Sequence, residues 1–258
     1  MLLKSLARRC IEWGRSIGSK RVRGDGGSIY IFTLMLVLFF LILYKAAFDR
    51  ERLYVTYDAV DDAIVSSLLS ASLVNINEYG SSGQLVIYDD VTTVAPVMPG
   101  ESEEQRAQDF FADASLLSPT TDYYLNNSYN LFMNSLKRNL KLDGSLNASM
   151  SGIDGAVDVI DFSIYNLFEY YDRTTGARLH YRFIRYSFDG GVWSVYPYSI
   201  DEPVTVFNSF DDTYTPLDST TVVANLKFRL RITENNTWLG IPVMAQEVNY
   251  QRLVDIAE

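Results

Sequence analysis

Cysteine and histidine are almost missing from this chain: its 258 residues contain one of each. Cys10 is the lone thiol, so no disulfide can form within the chain. For an exported domain, that absence fits a bacterial surface or periplasm better than an animal cell surface. His180 stands without a cysteine beside it, so neither a zinc site nor a hydrolytic triad finds its usual donors. There is no glycine-rich phosphate loop and no serine nucleophile elbow, and the sequence predicts neither an enzyme nor a cofactor. Positive charge is also short. The 22 Lys and Arg face 32 Asp and Glu, a net of −10, which argues against a nucleic-acid partner. The acidic pairs Asp61-Asp62, Asp89-Asp90 and Asp211-Asp212, and the cluster Asp154, Asp158 and Asp161, do not follow a calcium-loop spacing and read as solvated surface.

What is present is concentrated at the N-terminal end. Residues 26–44, GGSIYIFTLMLVLFFLILY, carry no charge and form a helix of about 28 Å at 1.5 Å per residue. That matches the roughly 30 Å hydrocarbon core of a bilayer, so a lipid bilayer is the first expected partner. The run is longer than the ~7–15 apolar residues of a cleaved signal, which makes an uncleaved span the expectation. Residues 1–25 form a basic tail. Within 1–27, seven basic residues against two acidic give a net of +5, while the remaining 15 basic and 30 acidic residues give −15. Basic flanks favour the cytoplasm, so the tail is expected inside and the acidic bulk of the chain outside.

Neither Pro nor Gly occurs between positions 45 and 75, so the helix is expected to continue through 45–76 and to end near Asn75. Leu53, Tyr57, Val60, Ile64, Leu68 and Ala71 recur at helical spacing, and Val65, Leu69 and Leu73 widen the stripe. A stripe leaving the membrane must be buried, either by the protein's own outer domain or by the helices of neighbouring subunits.

Residues 77–258 hold most of the 18 Tyr and 14 Phe, enough for a packed core. A short strand is predicted over 84–88. A helical part follows at 101–141, with helices over 103–116 and 119–141. A β part occupies 153–256, with strands over 157–171, 178–188, 192–198, 204–207, 220–233 and 241–256. Asp189-Gly190-Gly191 reads as a hairpin turn. Strands are not interleaved with helices, so the sheet should be antiparallel and the fold class α+β, with a long N-terminal helix.

A basic leader, a glycine, an apolar helix and an unbroken amphipathic continuation into a β-rich domain resemble the type IV pilin-like proteins. More narrowly, they are similar to the TadE-like pseudopilins of tight-adherence pilus systems. The resemblance covers residues 20–75. It implies a prepilin peptidase cutting after Gly24 to leave Asp25 first, with Tyr30 at the sixth position, where mature pilins of that system carry Tyr. Their preceding Glu is here Ile29. The resemblance also implies a structural or assembly role, with other pilus or secretion-apparatus subunits as partners through the N-terminal helix. The residues alone leave a second reading open: a single-pass anchored ectodomain serving as an adhesin, sensor or ligand-binding module.

Overall fold

A computed structural model describes residues 26–75, 79, 85–87, 102–115, 122–150, 152–172, 174–233 and 244–256. The chain forms two compact units, residues 1–51 and 52–258. Helix α1 (Gly26–Ala71) contributes to both. Two further helices, α2 (Glu103–Ser115) and α3 (Tyr123–Asn139), precede strands β1 (Asp158–Tyr171), β2 (Arg178–Asp189), β3 (Val192–Pro197), β4 (Thr205–Asn208), β5 (Thr213–Pro216), β6 (Thr221–Thr233) and β7 (Met244–Asp255). The class is α+β.

In the first unit, α1 is apolar all round. One window reaches a mean hydropathy of 2.4 with nothing buried, so this helix is long and apolar enough to cross a membrane. Each apolar side chain over 29–44 is 42–72% exposed. The one hydroxyl inside the run, on Thr33, donates to the Ile29 carbonyl at 2.9 Å. That back-bond satisfies it without water. Lys45 and Asp49 pair at 2.6 Å, one turn apart.

In the second unit, α1 becomes a core element. Val60, Ile64, Leu68 and Ala71 are buried, and Leu53 and Tyr57 pack against the same core. The expected widening holds only in part, with Val65 and Leu73 half-buried, and the stripe also widens on its other side. Leu69 is 58% exposed, while Ala63 and Ser67 are buried. The reason is α3, whose Asn139 amide donates to the Ala63 carbonyl and the Ser67 hydroxyl, both at 3.4 Å.

Helix α1 also ends at Ala71 rather than near Asn75. Ser67, Ser70 and Ser72 donate their hydroxyls to carbonyls one turn back, a competition that weakens a helix. Asn75 N–H then donates to the Val86 carbonyl at 3.0 Å, turning the chain toward 85–87.

The main sheet has the order β3-β2-β1-β6-β7, and each neighbouring pair is antiparallel. Its side chains alternate between two faces. One face carries Phe162, Ile164, Phe168, Ile184, Tyr186, Val222, Leu226 and Phe228 into the core shared with the helices. The other carries Tyr165, Leu167, Phe183 and Val223 into a smaller core with Val204, Val206 and Leu217. Along β6, Leu226, Phe228 and Leu230 are buried while Lys227, Arg229 and Arg231 stay wetter, as their alternation predicts. Gly190 and Gly191 both have positive φ, 56° and 90°, which a two-residue β2–β3 turn of the primed kind demands.

Three expectations need correction. Val86 and Ile87 are buried, but residues 85–87 form no strand. The Asn166 side chain replaces a strand neighbour, accepting from Ile87 N–H at 2.9 Å and donating to its carbonyl at 3.1 Å. Helix α3 starts at Tyr123, after an Asp122 cap whose Oδ1 accepts from Leu125 N–H at 2.8 Å; Pro119 lies outside the described residues. Finally, β4 pairs with β5, a strand the sequence did not suggest.

Candidate functional site

The residues singled out by sequence separate into two groups. Gly24 and Asp25 lie outside the described residues, and Tyr30 sits near the start of α1, 56% exposed. Leu53, Tyr57, Val60, Ile64, Leu68 and Ala71 all face the protein's own core. Of the two ways to bury the stripe, the chain's own domain over 52–258 supplies the cover.

A charged clasp locks that cover in place. Asp61 is one turn from Tyr57 and only 6% exposed. Tyr250 on β7 donates its hydroxyl to Asp61 Oδ1 at 2.5 Å. Arg252 Nε lies 3.0 Å from the same oxygen. That N–H is not aimed for a hydrogen bond, so the contact acts as an ion pair. Arg252 is held from its other side by Asn208 Oδ1 at 3.2 Å, and its guanidinium stacks 4.3 Å from the centre of Phe210. Tyr57 meets the Tyr250 ring edge-on, with centroids 5.2 Å apart and planes at 86°. Burial pushes the Tyr250 hydroxyl well above the usual tyrosine range, and its bond to Asp61 pushes it further. A carboxylate in so apolar a place requires a partner, and β7 provides two.

Asp61 is therefore no part of a solvated surface, although Asp62 is exposed. Its helical position between Tyr57 and Ile64 was a signal of burial. Its partner Tyr250 lies 189 residues away and was not legible.

A second clasp is built on His180. Its Nδ1 lies 2.6 Å from Asp201 Oδ2 in the segment after β3, and its Nε2 lies 3.0 Å from Glu104 Oε2 on α2. Asp201 Oδ1 also accepts from Tyr181 N–H at 3.0 Å. The Asp201 bond, with a smaller contribution from Glu104, raises the His180 pKa above its ordinary value, against a modest burial cost. Burial alone would raise Asp201, but His180 and the Tyr181 N–H outweigh it and hold that carboxyl low. Carboxylates occupy both ring nitrogens, so neither is free to take a proton from a nucleophile.

The other acidic residues are dispersed. Asp154 faces Arg229 and Arg231, at 3.5 and 3.1 Å. Asp161 pairs with Arg185 at 2.8 Å and accepts from Ser163 and Ser187. Asp158 is exposed on β1, and Asp211 and Asp212 are exposed in the β4–β5 turn. Among the described residues no group of His, Cys, Asp and Glu is arranged to hold a metal ion. Among the described residues, a shallow cleft of about 130 Å³ is lined by Leu167, Arg178, Tyr181, Phe183, Leu217 and Asp218.

The site thus defined is structural: a set of contacts that welds a long helix to an antiparallel sheet. Comparisons of the chain with protein-family models, with curated proteins and with solved structures return no match.

Proposed function

We propose that the protein is a membrane-anchored structural or assembly subunit of a bacterial pilus or related secretion apparatus, of the pilin-like or TadE-like kind. The observation that supports this most is α1 itself. One unbroken helix serves first as a lipid-compatible span and then as the spine of an α+β domain. In this reading the basic tail is cytoplasmic, residues 52–258 are extracytoplasmic, and the partners are the bilayer and other subunits of the apparatus. The stripe Leu53–Ala71 is occupied within the protein, so contacts between subunits fall to the lipid-facing half of α1 and to the outer surface of the domain.

The second reading, an anchored adhesin or ligand-binding module, draws on one feature. The β4–β5 hairpin presents Phe210 at 58% and Tyr214 at 71% exposure, an aromatic tip.

Intact mass and N-terminal sequencing of the protein purified from its native membranes separate the two. A mature chain starting at Asp25 supports a pilin-like subunit processed at the cytoplasmic face. A chain that keeps Met1 removes that reading in favour of a simple anchor.

A further inference from the structure

The two edges of the main sheet are treated differently. On β7, Ser209 N–H donates to the Gln251 carbonyl and Gln251 N–H donates to the Ser209 hydroxyl, both at 2.9 Å. That strand also carries Glu247, Arg252 and Asp255. Covering and charging an edge are the usual ways of preventing another strand from docking on it. Among the described residues, the opposite edge, β3, shows neither device. Its sequence VWSVYP contains no charge, and its one strand neighbour is β2.

The β2–β3 register fixes which backbone groups β3 offers. Asp189 opposes Val192 across the two-residue turn, followed by Ser187–Ser194 and Arg185–Tyr196. In a hairpin of this kind those pairs exchange the hydrogen bonds. Tyr198 N–H, donating to the Phe183 carbonyl at 3.0 Å, continues the same parity. The N–H and C=O groups of Trp193 and Val195 therefore point away from the sheet. Trp193 is buried and fixed by its Nε1–H donating to Asn126 Oδ1 at 2.9 Å, so the offered backbone is held rigidly.

We propose that β3 pairs with β3 of a second copy of this chain, antiparallel and centred on Ser194. The residue order supports self-pairing over an arbitrary partner strand, because Val-Trp-Ser-Val-Tyr, meeting itself antiparallel about its serine, matches every aromatic residue with a valine. Centring there sets Trp193 opposite the partner's Val195, and Val192 opposite the partner's Tyr196. Each is an aromatic–β-branched pair, a favourable cross-strand match. Val192 and Tyr196 are 60% and 52% exposed, so two apolar side chains on each copy gain cover. Trp193 and Val195 would exchange about four backbone hydrogen bonds across the axis. A centre on Val195 would instead set Trp193 against Pro197, which has no N–H to give. Without charge on either strand, the two copies meet with no like-charge clash. The pairing joins two five-stranded sheets into one and is independent of whether the chain is a pilin-like subunit.

The test uses the full chain in detergent micelles, with Cys10→Ser so that each introduced cysteine is alone. Ser194→Cys places the two thiols at a non-hydrogen-bonded pair on the axis, where Cα atoms approach to about 4.5 Å, within disulfide range. Mild oxidation should convert most of it to a covalent dimer. Val192→Cys lies about 13 Å from its own copy by strand rise and should not cross-link alone, but should do so when mixed with Tyr196→Cys. In the otherwise native chain, Ser194→Lys should lower the light-scattering mass from dimer to monomer without changing the circular dichroism. The proposal is overturned by a monomeric parent, by Ser194→Cys and Val192→Cys cross-linking equally, or by Ser194→Lys remaining dimeric. It is also overturned if the Ser194→Cys variant cross-links in native membranes only to a different protein.

Discussion

Helix α1 meets two burial problems along its length, and its two parts solve them differently. Over 29–44 apolar side chains point in every direction and none is buried among the described residues, which makes that part long and apolar enough to cross a membrane. From Leu53 to Ala71 one stripe, Leu53, Tyr57, Val60, Ile64, Leu68 and Ala71, is covered by the chain's own sheet and α3, while Tyr54, Val55 and Leu69 stay exposed. A helix uniform in backbone is thus divided by side-chain pattern alone into a lipid-seeking part and a protein-seeking part. Serines and a paired aspartate are tolerated in the second because partners exist there.

The largest expected effect breaks the second part and spares the first. Leu53→Asp, Val60→Asp and Ile64→Asp together place unpaired carboxylates in or against the core. Each fully buried one costs several kcal/mol, which should abolish cooperative thermal unfolding in circular dichroism. Leu38→Asp should leave the melting of the domain unchanged. It should weaken membrane retention, at about 2.5–3.5 kcal/mol for an Asp at the centre of a span, as read by alkaline extraction of membranes.

Next in size is the clasp. Asp61→Asn leaves Arg252 facing a neutral amide and should cost on the order of 3 kcal/mol in urea unfolding. The double change Asp61→Leu with Arg252→Met should recover part of that loss, the remainder being the Tyr250 hydroxyl left without its Asp61 acceptor. If the double variant is no better than the single, the pair is not the unit that holds α1 to β7.

A smaller effect is expected at Gly152, which has φ 108°. A Cβ there would collide with the Thr56 hydroxyl on α1. Gly152→Ala should cost roughly 1–3 kcal/mol. Adding Thr56→Ala should recover only the steric share, read as a partial return of the melting temperature.

The smallest effect is pH-dependent and sharpens the contrast between the two clasps. The folded pKa of His180 is raised above the ordinary value of 6.5. Its contribution is therefore fully present below pH 6.5 and is lost as pH rises through the folded pKa. His180→Ala should lower the urea midpoint at pH 5.5 and converge with the parent at alkaline pH. Convergence in the opposite direction would mean that His180 is held neutral.

The parts of the fold that were legible in the sequence are those governed by local pattern. The alternation of Leu226, Phe228 and Leu230 with Lys227, Arg229 and Arg231 set the strand and its faces, because β6 has one face fully in the core. Gly190-Gly191 marked its turn because few other residues accept two positive φ angles in succession. The stripe from Leu53 to Ala71 was legible as a stripe, but its cover was not, since that depended on strands far along the chain. The same limit hid Asp61, the cross-links from Asn166 to Ile87, and the early end of α1 at Ala71. Strand β5 escaped for a different reason. Thr213–Pro216 is short, largely exposed and paired only with β4, so it carries no periodic signal.

The Asp61–Arg252 contact also dictates an order of events during synthesis. Asp61 is made early, yet the residues that neutralise it belong to β7, made nearly two hundred residues later. Until then the carboxylate has neither of the partners that let it be buried beside the stripe. A chain cut short before Tyr250 would lack both, so α1 could not be seated on the sheet without burying an unpaired charge.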